Sequence, residues 1–265
     1  MMELRQGRTD FWGQIARSTA HIAPSWIPGF GRLLFLIACL MLGIVEMYFG
    51  AALPGLHPWP VHQGLAWFSG ASLALLAIGG LLFDTRLASL GLAIHWFLAI
   101  LFTIAVAVKG PTDALNWVPV AQSCLFAVAS FKIASQREAG SSELAPLALR
   151  LTFAAMLLLF GLIHIFKREL IAGLIPGWIP AADLWPWVTG TIMVAAGFAI
   201  LIGKFAEIAS LVVAGMFASW IFVVHAERLA QRPASDFEWT FALTALALAG
   251  AALITIRGEN RTAGR

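Results

Sequence analysis

The sequence predicts an all-α, polytopic membrane protein, with eight transmembrane helices arranged as two tandem four-helix bundles in parallel orientation. Three observations carry that expectation. The 265 residues are 60% hydrophobic and 12% charged, against about 45–50% and about 25% in soluble domains. The mean hydropathy is +0.85, and a soluble domain of this size cannot hide so much apolar surface. The apolar residues also fall into eight runs, and the first four resemble the last four. Disorder, a polar solenoid and a secreted disulfide scaffold are excluded. Cys39 and Cys124 stand apart in apolar runs with no CxxC, so thiol–disulfide chemistry and thiolate zinc sites have no support.

A spanning helix needs about 20 mostly apolar residues. Runs of that kind occupy 33–53, 65–83, 87–108 and 115–131, then 147–166, 184–203, 205–226 and 237–256. Residues 1–32 precede them as a basic, aromatic arm with Arg5, Arg8, Trp12, Arg17 and Trp26. The arm has no apolar stretch long enough for a signal-peptide core, and it reads as an interfacial segment on the membrane surface. Residues 134–146 form a polar linker between the halves, and 257–265 form a tail.

With the N-terminus inside, the inner segments hold 12 of the 17 Lys and Arg and the outer loops hold 5. The positive-inside rule then favours both termini in the cytoplasm, and the chain is expected in the cell's inner membrane. The same bias explains the pI of about 9.2 without nucleic acid as a partner.

The repeat is read from matching residues. Arg32, Gly43 and Tyr48 align with Arg150, Gly161 and Phe166 at an offset of 118. Pro60, Trp67 and Gly70 align with Pro180, Trp187 and Gly190 at 120. Ala88-Ser89-Leu90 aligns with Ala209-Ser210-Leu211 at 121, and Pro111 and Trp117 align with Pro233 and Trp239 at 122. A steadily rising offset is what a few insertions in a duplicated unit produce. The repeats cover 33–133 and 147–256. Four spans per half give both halves the same orientation, so an axis along the membrane normal relates them.

In the second half, Gly161-Leu-Ile-His164-Ile-Phe166, Ile175-Pro-Gly-Trp-Ile-Pro180 and Trp187-Val-Thr-Gly190 resemble the DoxX family of small membrane proteins. The resemblance covers most of 147–228 and reaches the first half only through the repeat. The family takes its name from quinol-oxidase and thiosulfate-oxidation complexes, so the resemblance implies a quinone-linked role and a partner redox protein. The chain departs from the family in two places. Many relatives carry an acidic residue just after the Ser/Thr-Gly, where this chain has Ile192 and Met193. Glu46 stands at the position of the family histidine in the first half. Any polar chemistry the family places there is altered here.

Ionisable residues at membrane depth are costly and point to function. Glu46, His164 and His225 are the candidate acid/base groups, all expected in the outer half of the bilayer. His164 would hydrogen-bond a quinone carbonyl, with Glu46 or His225 as the second proton-handling group. Trp178, Trp185, Trp187 and Phe166 would provide flat apolar walls for the ligand. The same residues also suit ordinary interhelical contacts and an interfacial aromatic belt. Haem ligation by His164 and His225 is disfavoured because the two differ in depth by a helical turn or more. His57 and His62 lack a third metal ligand nearby. The apolar, Pro-bearing loop 167–185 is expected to cap the outer mouth of the second half. A redox-linked subunit binding quinone or a lipid-like substrate leads this reading; a small-solute carrier and a non-catalytic scaffold for a partner enzyme remain open.

Overall fold

The computed structural model describes residues 23–50, 63–83, 86–135 and 144–256. The arm over 1–22, the first interhelical loop with His57 and His62, most of the linker and the tail lie outside the described residues. Among the described residues eight helices are long and apolar enough to cross a membrane, and there is no strand. The fold is all-α and polytopic, as the composition requires.

In chain order the elements are α1 (Ile27–Phe49), α2 (Gln63–Leu82), α3 (Arg86–Ala107) and α4 (Val118–Ser135), the last entered through a 3₁₀ turn at Ala114–Trp117. The second half has α5 (Leu144–Phe166), the short α6 (Arg168–Ala172), and α7 (Trp185–Ile202) after a 3₁₀ turn at Ala182–Leu184. It then has α8 (Ala206–Trp220), a π turn at Ile221–His225, α9 (Ala226–Gln231) and α10 (Asp236–Thr255). The bundle has a terminal end, where α1 begins and α10 stops, and a loop end, which carries 108–117, 167–184 and 232–235.

Three of the shifts from the expected boundaries have a local reason. α1 begins at Ile27, so the arm loses 27–32 to the helix. Pro28 in the first turn starts it, and Arg32 is tolerated inside it because its guanidinium donates to the Gly80 carbonyl at 2.9 Å. That carbonyl lies near the end of α2, where a cation also meets the helix dipole favourably. α4 runs on to Ser135 past the buried Lys132, whose ammonium donates to the Ile254 carbonyl near the end of α10. α5 starts at Leu144 with Pro146 in its first turn. The linker is thereby shortened from both sides.

The helices close into a ring. Each packs on its neighbour in sequence, and α10 closes the ring on α1, the most extensive helix contact in the molecule. The fourth helix of each half therefore packs against the first helix of the other: α10 on α1, α4 on α5. The two halves share one core rather than forming separate ones. α10 is its centre, buried on nearly every side from Ala242 to Ile254. Its run of Ala and Gly lets neighbours approach closely, since helix association in lipid relies on contact packing.

Residues aligned between the halves make matching contacts. A side chain at Gly43 would strike the Gly70 backbone at 2.5 Å, and one at Gly161 would strike the Gly190 backbone at 2.7 Å; α1 crosses α2 as α5 crosses α7. Asp113 and Ser235 each cap the following helix with a side-chain oxygen. The Trp117 indole donates to the Pro111 carbonyl at 3.0 Å and the Trp239 indole to the Pro233 carbonyl at 2.9 Å. The offset rises by one between Leu211 and Pro233. The π turn at Ile221–His225 lies in that interval, and a π turn holds one residue more than an α turn. α3 has no such turn.

Candidate functional site

The halves differ where their aromatic filling differs. In the first half Trp96, Phe126 and Phe35 stack edge-on at centroid distances of 5.0 and 5.6 Å, all fully buried. In the second half the matching positions are Phe217, Leu248 and Phe153, so one ring is smaller and one is replaced by leucine. The closing contacts also differ. Gly31 on α1 and Gly250 on α10 bring those backbones together, with a side chain at either meeting main-chain atoms under 3 Å. The matching positions on α5 and α4 are Leu149 and Val128, and the α4–α5 contact is much less extensive.

A cavity of about 670 Å³ opens in the second half, within the usual size range of small-molecule sites. It is walled by α5, α7, α8, α10 and the start of α4. On α10 its lining runs from Phe237 to Leu248, about 16 Å at helical rise, which is roughly half of a bilayer's hydrocarbon depth. It therefore occupies the loop-end half of the membrane. Leu170, Ile171, Leu174, Ile175 and Ile179 cover it, so the segment 167–184 is its lid. Pro176, Pro180 and Pro186 keep this lid from continuing α5 as one helix.

The lid is held at both edges. The Trp178 indole donates to a Glu227 carboxylate oxygen on α9 at 2.7 Å, and Gln231 donates to the other oxygen at 2.9 Å. Lys167 lies 3.7 Å from Asp113 of the first half. Beneath that edge, Glu238 is buried at the start of α10 and takes both Arg228 Nε and a terminal nitrogen at 2.7 and 2.8 Å, with Arg232 at 3.4 Å. Ser235 caps the same helix through the Glu238 N–H. The bidentate pair pins α9 and the adjoining π turn to α10.

The polar groups of the cavity are few. His164 lines it from α5 and His225 from the π turn. The His164 ring stacks on Trp220 at 5.6 Å and 16°. Its Nδ1 lies 2.8 Å from the Phe160 carbonyl, which can only accept, so Nδ1 carries the hydrogen. In the neutral ring Nε2 is then the lone-pair nitrogen. His225 Nδ1 is buried without a hydrogen-bond partner among the described residues. Gln122, Thr189, Ser219, Thr240 and Thr244 complete the polar lining.

Of the residues singled out from sequence, the structure brings His164, His225 and Trp185 to one cavity. Glu46 is not there. It lies in the first half, where its Oε2 accepts from Ser69 Oγ at 3.2 Å; the halves' matching first helices are separated, so Glu46 and His164 do not meet. Trp178 serves the lid edge through Glu227, and Trp187 and Phe166 are exposed on the bundle's outer surface and do not line the cavity. The rings that do line it are Trp185, Trp220, Phe160, Phe217, Phe237 and Phe241. Trp220 carried no distinguishing sequence signal. Gln122 comes from the first half and follows only from the exchange of fourth helices.

Comparison of the chain with known protein families, curated proteins and solved structures finds no match. The site therefore has to be read from its own chemistry.

Proposed function

We propose that this chain is a DoxX-like inner-membrane protein, with both termini cytoplasmic, whose second half binds a quinol or a similarly flat lipid as part of a redox-linked complex. One observation carries the reading: a lidded apolar cavity at membrane depth, with His164 stacked on Trp220 and His225 in the same lining. An apolar cavity in this position receives its ligand from lipid. The stacked rings offer a planar wall. The His164 lone pair at Nε2 is an acceptor, so it suits a ligand hydroxyl better than a carbonyl, and hence a quinol better than a quinone. Quinol oxidation releases two protons and two electrons. His164 is the first proton acceptor and His225 the second candidate, while the electrons pass to a partner redox protein. The excess of Lys and Arg at the terminal end supports a cytoplasmic position for that end.

The test is solvent extraction of the purified protein with chromatography of the extract, beside a redox difference spectrum of the intact protein. Bound quinone in wild type, lost from a folded His164→Ala variant, is the expected result. Equal quinone content in the two would remove the central residue of this proposal. No quinone in either, with titrated quinol failing to bind, would favour the carrier or scaffold reading.

A further inference from the structure

The first half holds a polar chain at membrane depth, apart from the cavity. Glu46 on α1 is fully buried, and its Oε1 has no hydrogen-bond partner among the described residues. Its Oε2 accepts from Ser69 Oγ on α2 at 3.2 Å. One turn further along α2, the Ser72 hydroxyl donates to the Ser69 carbonyl at 2.7 Å. Ser72 Oγ also lies 3.1 Å from His95 Nδ1 on α3. A serine hydroxyl has one hydrogen. With that hydrogen on the Ser69 carbonyl, His95 Nδ1–H is the donor to Ser72 Oγ. Four polar side chains on three helices thus form a descending series. At 1.5 Å per residue, Glu46, Ser69, Ser72 and His95 lie about 5, 9, 14 and 18 Å from the loop ends of their helices. None of the four lines the cavity.

Ordinary interhelical packing does not call for this arrangement. A buried carboxyl with one oxygen unbonded is expensive at membrane depth, and the matching residues in the second half are His164, Thr189 and Ile192, with Met216 opposite. Other titratable groups on the surrounding helices are engaged elsewhere or distant. α2 has none among its described residues. On α10, Glu238 is held by Arg228 and Arg232, and Asp236 accepts from the Phe237 N–H. On α4, Lys132 is bonded at the terminal end, and on α3 Arg86 stands at that end too. Cys39 lies about two turns below Glu46 on α1.

We propose that the first half contains a proton-exchange site, with Glu46 and His95 as the two proton-holding groups and the Ser69–Ser72 turn joining them. Glu46 is the group nearer the loop-end surface and His95 the deeper one. A proton moving outward breaks the Nδ1–H bond of the doubly protonated His95 ring and forms the carboxyl O–H bond of Glu46, each serine taking one hydrogen and giving up one; no electron is transferred. Ser72 is the moving part, because its hydrogen must turn from the Ser69 carbonyl to Ser69 Oγ to complete the path. Acidic and histidine side chains in series at membrane depth are the usual components of proton relays. This site is independent of the quinol reading and would stand if that reading failed.

The experiment is pH-difference infrared spectroscopy of the full chain in lipid. A glutamic carboxyl C=O band that titrates is expected, identified by ¹³C-carboxyl glutamate labelling and lost in Glu46→Gln. The labelled wild-type spectrum keeps the test open if that variant fails to fold. In folded Ser72→Ala and His95→Gln variants the midpoint of the band moves by about one pH unit, as for coupled sites. A buried glutamate band that ignores pH would overturn the proposal. So would a titrating Glu46 band whose midpoint is unchanged in both Ser72→Ala and His95→Gln.

Discussion

Gly161→Ala probes the joint that holds His164 in place. The added methyl would lie 2.7 Å from the Gly190 carbonyl oxygen and 3.0 Å from the Val194 nitrogen, where ordinary contact is 3.4–4 Å. The nearest atom, Val194 Cγ2 at 2.6 Å, is side chain, but the other two are backbone, and no rotamer change relieves those. α5 and α7 must part by about 0.7 Å, an overpacking that costs about 1–3 kcal/mol. At about 2–4 °C per kcal/mol for a chain of this length, the midpoint falls by several degrees. Gly215→Ala is the control. Nothing lies within 4 Å of a methyl there, and alanine favours the helix over glycine by up to about 1 kcal/mol. The assay is thermal unfolding followed by reaction of Cys39, which is fully buried, with a thiol dye in a Cys124→Ala background. Ligand retention is measured alongside, because parting α5 from α7 displaces His164 from the lid. A Gly161→Ala protein as stable as wild type, or an equal loss in Gly215→Ala, would refute the reasoning.

Three further outcomes are expected. Leu248→Phe combined with Phe217→Trp copies the first half's aromatic filling into the second; ligand extraction should fall to background while the unfolding midpoint holds or rises, since filling a void adds packing contacts. Glu227→Ala releases both Trp178 and Gln231. At about 1 kcal/mol for the lost bonds, the ligand off-rate should rise about fivefold with little change in stability. Arg228→Ala leaves Glu238 with only the longer Arg232 contact and should cost about 1–3 kcal/mol by thermal unfolding. Adding Glu238→Ala should restore part of that loss, because the buried charge goes with its partner.

The spans, their number and the matching of the two halves follow from the sequence, because a bilayer imposes length and apolarity on every helix that crosses it. The Pro111–Trp117 and Pro233–Trp239 pairs were aligned by spacing alone, and each closes the same hydrogen bond. The lid over 167–184 was also legible, since prolines at 176, 180 and 186 cannot continue a helix through an apolar segment. Helix rotation and partner choice were not legible. In lipid both the packed and the outer faces of a helix are apolar, so the pattern that orients a helix in water is missing. That is why Trp178 and Trp187 could not be told apart from Trp220, and why Glu46 and His164, equal in depth and matched in sequence, end up at different sites. Tertiary packing decided those points through volume. Gly31 against Gly250 draws α10 onto α1, and Trp96 with Phe126 fills the first half. Leu149, Val128, Phe217 and Leu248 at the matching positions leave the second half open around His164 and His225.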